Sequence, residues 1–265
     1  MDAHQLFKAG NLAAAIDAQI PVVKAKPADA VERLFLFELL AFAGELDRAQ
    51  RQIDAISSED PQIQVGYQLY RRLLDAERTR RQVFAAKAQP GYFTPPPDHV
   101  TLRLTGLTKL TGGAVAEGVA LFQEANAGLG PLRGSLNGQP FAGLRDGDDR
   151  LGSVLEVLAN GNYFWVPLEQ VAAISSKAPR FPRDLIWLPA QLDMHSGVSG
   201  QVFLPTLYPQ TDLESDAQLK LGRLTDWRAV GEGESLMRGV GLKTFLLGDE
   251  ATSILDWRKL ELSSP

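Results

Sequence analysis

The sequence of 265 residues contains no cysteine and only three histidines. Without cysteine the chain forms no disulfide, thiolate zinc site or iron–sulfur cluster, and it has no cysteine nucleophile. The histidines are His4, His99 and His195, and no two of them have the spacing of metal ligands on one helix. The composition therefore offers little for thiol or histidine chemistry.

Long hydrophobic runs and an excess of positive charge are also missing. The longest apolar run, LFLFELLAFA at 34–43, contains Glu38 and is too short to cross a bilayer. The amino terminus lacks the basic start and apolar stretch of a secretory signal. The net charge of −5 argues against nucleic-acid binding by bulk electrostatics. We therefore expect a soluble, cytoplasmic protein that binds neither membranes nor nucleic acid.

One basic stretch differs from this overall balance. Residues 71–87, RRLLDAERTRRQVFAAK, hold six basic and two acidic residues. On a helix, such a run is typical of a solvated face, and a phosphate-binding or partner-binding patch is the alternative.

Alanine-rich and leucine-rich segments with apolar residues at helical spacing fill residues 1–128. Two of these segments align at a shift of 34 residues. The matched pairs are Leu6 with Leu40, Gly10 with Gly44, Leu12 with Leu46, Ala15 with Ala49, and Pro27 with Pro61. This is the period of the tetratricopeptide unit, in which glycine suits the turn after the first helix and proline ends the second. We therefore predict a tetratricopeptide-like helical-repeat domain, with a third copy in which Arg78 replaces the glycine.

Residues 129–265 have a different pattern. Glycine and proline interrupt the chain at short intervals, and all four tryptophans lie here. Short apolar runs such as NYFWVP and GQVFLPTLYP predict strands, and GDE at 248–250 and GN at 161–162 predict hairpin turns. PLEQVAAISS at 167–176 predicts a helix with Pro167 in its first turn. The predicted fold class is α+β: the helical-repeat domain is followed by a mostly antiparallel β-rich domain with one or two helices.

Residues 145–152 read RDGDDRLG, in which Asp146, Asp148 and Asp149 lie between Arg145 and Arg150. A metal-assisted hydrolase that uses the three aspartates is one interpretation, although the calcium-loop pattern D-x-D-x-D-G is not met. The other interpretation is a turn with an ion network, because aspartate bonds to its own backbone, glycine supplies positive φ and the arginines pair with the carboxylates. The turn accounts for more of the stretch and predicts no catalytic, cofactor or metal residue.

Aromatic residues of the second half are candidates for partner binding, because Trp and Tyr are favoured at binding hot spots. The candidates are Tyr163, Trp165, Trp187, Tyr208 and Trp227. An aromatic residue on a strand also packs well in a core, so each of the five has that alternative.

An ordered series of motifs between 133 and 261 resembles the ImpE/TagJ family. The series runs RGSLNGQPFAGLRDGDDRLGSVLEVLANGNYFWVPLEQVAAI, RDLIWLPAQL, GQVFLPTLYP, LKLGRLTDW and FLLGDEATSILDWRKLEL. The family is associated with bacterial type VI secretion, which uses a contractile injection machine. The resemblance implies a non-enzymatic accessory protein without a cofactor, which binds the N-terminal helix of the small sheath subunit and is linked through it to the AAA+ ATPase that recycles the sheath. A generic scaffold with one partner on each half is an alternative to this adaptor role.

Overall fold

Helices occupy the first half of the chain. The computed structural model describes residues 1–57, 60–231, 233 and 235–264. The helices are α1 Ala3–Lys8, α2 Leu12–Ala25, α3 Ala30–Phe42, α4 Leu46–Asp54, α5 Pro61–Phe84, α6 Asp98–Thr111, α7 Val115–Ala127 and α8 Ala217–Lys220. Among the described residues, none of these helices combines the length and the apolar character needed to span a bilayer.

Glycines close the first two helical hairpins. Gly10 (φ +84°) links α1 to α2 and Gly44 (φ +77°) links α3 to α4, and both have the left-handed backbone that favours glycine. Pro61, which was expected to end a helix, instead begins α5, where its missing N–H leaves no hydrogen bond unmade. Arg78 lies inside α5, a single helix of 24 residues, so the third copy is not a hairpin. The tetratricopeptide assignment therefore stays a prediction.

Strands form the second half of the chain. They are β1 Arg133–Leu136, β2 Gln139–Ala142, β3 Leu144–Asp146, β4 Val154–Ala159, β5 Asn162–Pro167, β6 Val171–Ser176, β7 Trp187–Met194, β8 Ser199–Pro205, β9 Thr225–Ala229, β10 Met237–Gly241, β11 Thr244–Leu247, β12 Glu250–Ser253 and β13 Lys259–Leu262. Eight form an antiparallel sheet in the order β2-β1-β13-β6-β7-β8-β4-β5, while β12-β11-β3 and β10-β9 form two small sheets. Turns at Gly248–Asp249 and Asn160–Gly161 join two hairpins, the second one residue earlier than predicted. The α+β class is confirmed.

The helix predicted at 167–176 is wrong. Leu168–Gln170 forms one turn of 3₁₀ helix, and β6 follows it. A bulge near the start of β6, in its pairing with β7, lets both Val171 and Ile174 face the core. Buried residues three positions apart are the pattern that indicates a helix in a sequence. The bulge therefore explains why a strand was mistaken for a helix.

Two hydrophobic cores lie on opposite faces of the eight-stranded sheet. In the first, Phe37 of α3 packs on Trp187 and Phe84 of α5 packs on Trp165, each pair with ring centroids 6.2 Å apart. The second core lies between the other sheet face and the three-stranded sheet, around Phe245. The helical and β-rich halves therefore share one core, and the change in composition between them is not a break in the packing.

Candidate functional site

The acidic stretch 145–152 connects β3 to β4. Asp146 ends β3, and its backbone N–H donates to the carbonyl oxygen of Gly152 at 2.7 Å. The N–H of Gly152 in turn donates to the carbonyl oxygen of Asp148 at 2.9 Å. Gly152 has φ +51°, which glycine adopts without strain. The stretch is a closed, tight turn.

Gly147 allows a tryptophan to pack directly on this turn. A β carbon at Gly147 would overlap the Trp227 ring and lie against the carbonyl oxygen of Thr244. Trp227 also contacts Tyr208, with ring centroids 5.7 Å apart. Close packing, and not an unusual backbone angle, therefore requires glycine at this position.

Asp146 is paired with a lysine in the interior. Its Oδ2 accepts a hydrogen bond from Lys243 Nζ at 2.8 Å, and its Oδ1 accepts one from the backbone N–H of Asp148 at 2.8 Å. Asp146 and Lys243 are both buried. Burial raises the pKa of Asp146 to about 6, and the neighbouring ammonium group limits the rise. The carboxylate is therefore mostly ionised at neutral pH.

Glu156 of β4 is the centre of the network. Its Oε1 accepts from Arg80 Nε at 2.7 Å and from the Tyr163 hydroxyl at 2.6 Å. Its Oε2 accepts from Arg80 Nη2 at 3.0 Å and contacts Lys243 Nζ at 2.8 Å. Burial alone would raise the pKa of Glu156, but Arg80 and Lys243 hold it well below its usual value. Since Arg80 belongs to α5, this ion pair joins the helical layer to the sheet.

Asp148 and Arg150 form a second buried pair. Asp148 Oδ1 accepts from Arg150 Nε at 3.0 Å, and Oδ2 accepts from Arg150 Nη2 at 2.7 Å. Asp148 Oδ2 also accepts the backbone N–H of Gly239 in β10 at 3.1 Å. The Arg150 guanidinium lies over the Phe84 ring, 5.3 Å from its centroid. The pair therefore joins the turn to β10 on one side and to α5 on the other.

Asp149 and Arg145 form the exposed edge of the stretch. Their ion pair is 3.1 Å long, and their side chains are 23% and 50% exposed. Asp149 Oδ2 accepts the N–H of Met237 at 2.8 Å, and the N–H of Asp149 donates to the Met237 carbonyl oxygen at 3.0 Å. Arg103 of α6 donates to the Asp149 carbonyl oxygen at 3.0 Å, and burial lowers the pKa of Arg103 to about 10. Asp149 therefore hydrogen-bonds to both main-chain groups of Met237 at the start of β10, as a residue of a neighbouring strand would.

This ion network is suited to fixing the turn between β3 and β4 and the contact of α5 with the sheet. Asp146, Asp148 and Glu156 are at most 1% exposed, so a substrate in solvent does not reach their oxygens. Lys243 Nζ lies 2.8 Å from both Asp146 and Glu156, and together with Arg80 it compensates the two negative charges that would otherwise attract a cation. Within the ranges the structure describes, no group of three or more His, Asp or Glu side chains is placed to hold a metal ion. The geometry gives the hydrolase interpretation no support.

Four of the five aromatic candidates are buried. Tyr163, Trp165, Trp187 and Tyr208 are at most 2% exposed, so these four are core residues, as the alternative interpretation predicts, and do not present a surface to a partner. The helical half covers the sheet face on which the first three lie, and the Trp165 indole N–H donates to the Tyr163 hydroxyl at 2.6 Å. Trp227 is partly exposed, and of the five it stays a candidate for partner binding.

The basic stretch of α5 is directed mainly at the chain's own carboxylates. Arg71 pairs with Asp54 at 2.7 Å and Arg78 pairs with Asp47 at 3.0 Å. Arg80 points into the interior. The excess of positive charge in the sequence therefore does not become a concentrated phosphate site on this helix.

Sequence analysis missed Arg80 and Lys243 as members of the network. Arg80 is one of several arginines in the basic stretch, and no local pattern singles it out. Its partner Glu156 lies 76 residues away in the sequence. Lys243 gave a usable signal, because it is a single charge in the apolar run VGLKTFLL. A lone lysine flanked by such residues needs a buried partner.

Residues 138–261 match the family described as ImpE protein. The type VI secretion system accessory component TagJ from Pseudomonas aeruginosa strain PAO1 is 34% identical over 261 residues, which are 98% of this chain and 91% of that protein. The chain therefore belongs to the ImpE/TagJ family. The crystal structure of protein VPA1032 from Vibrio parahaemolyticus is similar over the whole length, with a TM-score of 0.90, 26% identity, and coverage of 99% of this chain and 98% of that one.

Proposed function

We propose that the chain is a cytoplasmic, non-enzymatic accessory component of a type VI secretion system. Its direct partner is the N-terminal helix of the small subunit of the contractile sheath. Its link to the AAA+ ATPase that recycles the sheath runs through that subunit. The observation that carries the proposal is the 34% identity to TagJ across 98% of the chain, because this match includes the helical and the β-rich half together.

The use of the charged residues in the 145–152 stretch supports a binding role over a catalytic one. Asp148 is satisfied by Arg150, and Asp146 is satisfied by Lys243, in both cases inside the protein. Catalytic carboxylates need a route to substrate, and these two lack one because they are buried. In this proposal the stretch 145–152, which resembles an active site in the sequence, stabilises the fold.

The inner side of the helical layer is not the binding surface in this proposal. A helical solenoid usually presents a concave surface to its ligand. Here α3 and α5 pack on the sheet instead, α3 through Phe37 on Trp187 and α5 through Phe84 on Trp165. In this proposal a partner helix therefore docks on another surface of the chain.

The test is a calorimetric titration of the full chain. The titrant is a synthetic peptide with the sequence of the N-terminal helix of the small sheath subunit encoded in the same gene cluster. A scrambled peptide of equal composition is the control, and the metal content of the same protein sample is measured by mass spectrometry.

Saturable binding of the native peptide, with the scrambled peptide inert, is the expected result. Equal heats from the two peptides, or none from either, would contradict the proposal. Stoichiometric metal that is lost together with Asp148 in an Asp148→Ala variant would instead return the aspartate cluster to consideration as an active site.

A further inference from the structure

Two hairpin turns of the large sheet share the same dipeptide and nearly the same backbone. Asn137–Gly138 joins β1 to β2, and Asn160–Gly161 joins β4 to β5. The φ angles are +52° and +82° in the first turn and +51° and +84° in the second. Both asparagines are exposed. Asparagine followed by glycine suits such a turn, because both positions need a positive φ. The two turns are therefore a matched pair within one chain.

Asparagine is chemically labile, above all where glycine follows it. The backbone nitrogen of the glycine attacks the side-chain carbon Cγ of the asparagine, and the missing β carbon of glycine leaves this approach open. A bond forms between that nitrogen and Cγ, the bond from Cγ to Nδ2 breaks, and the amide leaves as ammonia with the proton of the glycine N–H. Of the five asparagines in the chain, Asn137 and Asn160 are the two that precede glycine. The dipeptide alone does not distinguish between them.

The product of this attack is a cyclic imide that water opens. Water adds to one of the two carbonyl carbons bonded to the glycine nitrogen, and the bond between that carbon and the nitrogen breaks. Opening at Cγ gives aspartate with the normal backbone. Opening at the main-chain carbonyl carbon gives isoaspartate, in which the backbone runs through the side chain. Either product has a carboxylate in place of the amide, so the reaction adds negative charge.

The fold holds the side chain of Asn137. Its Oδ1 accepts hydrogen bonds from the backbone N–H groups of Arg258 at 2.8 Å and Lys259 at 3.0 Å. Its Nδ2 donates to the carbonyl oxygen of Asp256 at 3.0 Å. Both ends of the amide are thus bound to the segment that leads into β13. Cγ cannot turn toward the nitrogen of Gly138 unless these hydrogen bonds break.

The side chain of Asn160 is not held in this way. Its main-chain carbonyl oxygen accepts from Asn162 Nδ2 at 3.3 Å, but its side-chain amide has no hydrogen-bond partner among the described residues. The turn lies against α5, since a β carbon at Gly161 would be 3.6 Å from the side chain of Arg72. A carboxylate formed at position 160 therefore lies near the contact of the β4–β5 hairpin with α5.

We propose that Asn160 is a site of spontaneous deamidation, and that Asn137 is protected by its three side-chain hydrogen bonds although its turn is the same. Water is the only other reactant. The modification marks aged copies of the chain with added negative charge. Isoaspartate also lengthens the two-residue turn by one main-chain atom, and the register of a hairpin depends on the length of its turn. The proposal does not depend on the identity of the partner.

The test follows both sites in the same molecule. The full chain is incubated at mildly alkaline pH and physiological temperature, and samples taken at intervals are cleaved with an acid protease and analysed by mass spectrometry. Deamidation changes the peptide mass by the difference between a hydroxyl and an amino group. Because three hydrogen bonds must break before Asn137 reacts, we expect conversion at Asn160 to be about tenfold or more faster.

Two variants and the unfolded chain provide the controls. Asn160→Gly keeps a dipeptide that suits the turn and removes the reactive amide, so the acidic form that accumulates in the wild type on anion exchange should no longer appear. Asn137→Gly should still accumulate it. In urea at the same pH neither amide is held, so the two sites of the wild type should react at similar rates.

The expected result is fast conversion at Asn160 in the folded chain, with the difference between the two sites lost in urea. Equal rates in the folded chain would overturn the proposal. An intact Asn160 in the folded chain, under conditions in which the unfolded chain deamidates, would overturn it as well. If Asn160 still reacts much faster than Asn137 in urea, the neighbouring sequence and not the fold sets the difference, and the protective role of the hydrogen bonds is wrong.

Discussion

Arg80 and Glu156 lie 76 residues apart in the sequence and meet in the interior through two contacts of 2.7 and 3.0 Å. Arg80 comes from α5 and Glu156 from β4, so the pair crosses between the two layers. Each partner makes further contacts, Arg80 with the Leu207 carbonyl oxygen at 2.7 Å and Glu156 with Tyr163 and Lys243. Because either charge alone would be costly to bury, this contact fixes where the helices lie on the sheet.

The first prediction concerns Glu156→Gln, which keeps the shape of the side chain and removes its charge. The change deprives Arg80 of its two-point partner inside the protein. We expect the free energy of unfolding to fall by about 3–5 kcal/mol, the usual cost of breaking a buried pair from one side. Urea unfolding followed by circular dichroism at neutral pH measures this loss.

An exposed ion pair is the matched control for that experiment. Lys109 and Glu117 are 2.6 Å apart, with side chains 43% and 64% exposed. Glu117→Gln should lower the free energy of unfolding by no more than about 1 kcal/mol, because solvent screens such pairs. Similar losses in Glu156→Gln and Glu117→Gln would show that burial of the first pair has no special weight.

The second prediction is a pH dependence carried by Glu156. Its pKa lies below its usual value in the folded protein because of Arg80 and Lys243, despite burial. The stability that it contributes is therefore fully present above about pH 4.5 and is lost as the pH falls through the folded-state pKa. The difference in unfolding free energy between the wild type and Glu156→Gln should shrink between pH 5 and the lowest pH at which both proteins fold. A difference that stays constant over this range would contradict the prediction.

Asp146 changes the free energy of unfolding with pH in the opposite direction to Glu156. Its pKa is raised to about 6 by burial, so the folded state takes up a proton more readily than the unfolded state between about pH 4 and pH 6. Acidification across this window therefore favours folding as far as Asp146 is concerned. In Asp146→Asn this contribution disappears, and the wild type should gain stability relative to the variant as the pH is lowered from 7 to about 4. If the free energies of unfolding of the two proteins change in parallel with pH, Asp146 does not have a raised pKa in the folded protein.

Local chemistry explains the parts of the fold that the sequence predicted. Gly10 and Gly44 mark their turns because a left-handed position after a helix strongly favours one residue type. The α+β class followed from the change in periodicity and in glycine and proline content near residue 129. Such signals act over a few neighbouring residues, so one sequence is enough to detect them.

The errors in the sequence analysis come from contacts between distant segments. The sequence makes Trp165 and Trp187 candidates for partner binding because a strand pattern does not show what covers each face, and here Phe84 and Phe37 cover them. The strand β6 was taken for a helix because a bulge changed its spacing of buried residues. The sequence indicated only part of the ion network for the same reason. The aspartates lie close together in the sequence, but Lys243, which pairs with Asp146, lies far from them.

A fourth prediction separates the structural and hydrolytic interpretations of the aspartate cluster. Asp148→Asn leaves Arg150 buried beside a neutral group and weakens the contact with the Gly239 N–H, so the free energy of unfolding should fall by about 3–5 kcal/mol. Asp149→Asn breaks a partly exposed ion pair with Arg145 but keeps one side-chain oxygen for the N–H of Met237, so it should cost about 1 kcal/mol. Thermal melting of both variants orders the two effects. A hydrolase would behave in the opposite way, with Asp148→Asn folding normally and losing a bound metal.

The last prediction tests the close packing of Trp227 on the turn. Gly147→Ala places a methyl group where the Trp227 ring lies, so the ring or the turn must move, and we expect a loss of about 1–3 kcal/mol. Gly130→Ala is the control, because a β carbon there meets no atom within 4 Å and its backbone is not left-handed. Near-ultraviolet circular dichroism should report the displaced indole in Gly147→Ala together with a lower melting temperature, and neither change should occur in Gly130→Ala. If Gly147→Ala keeps both the wild-type spectrum and the wild-type melting temperature, the turn tolerates a side chain and the glycine is not needed for the packing of Trp227.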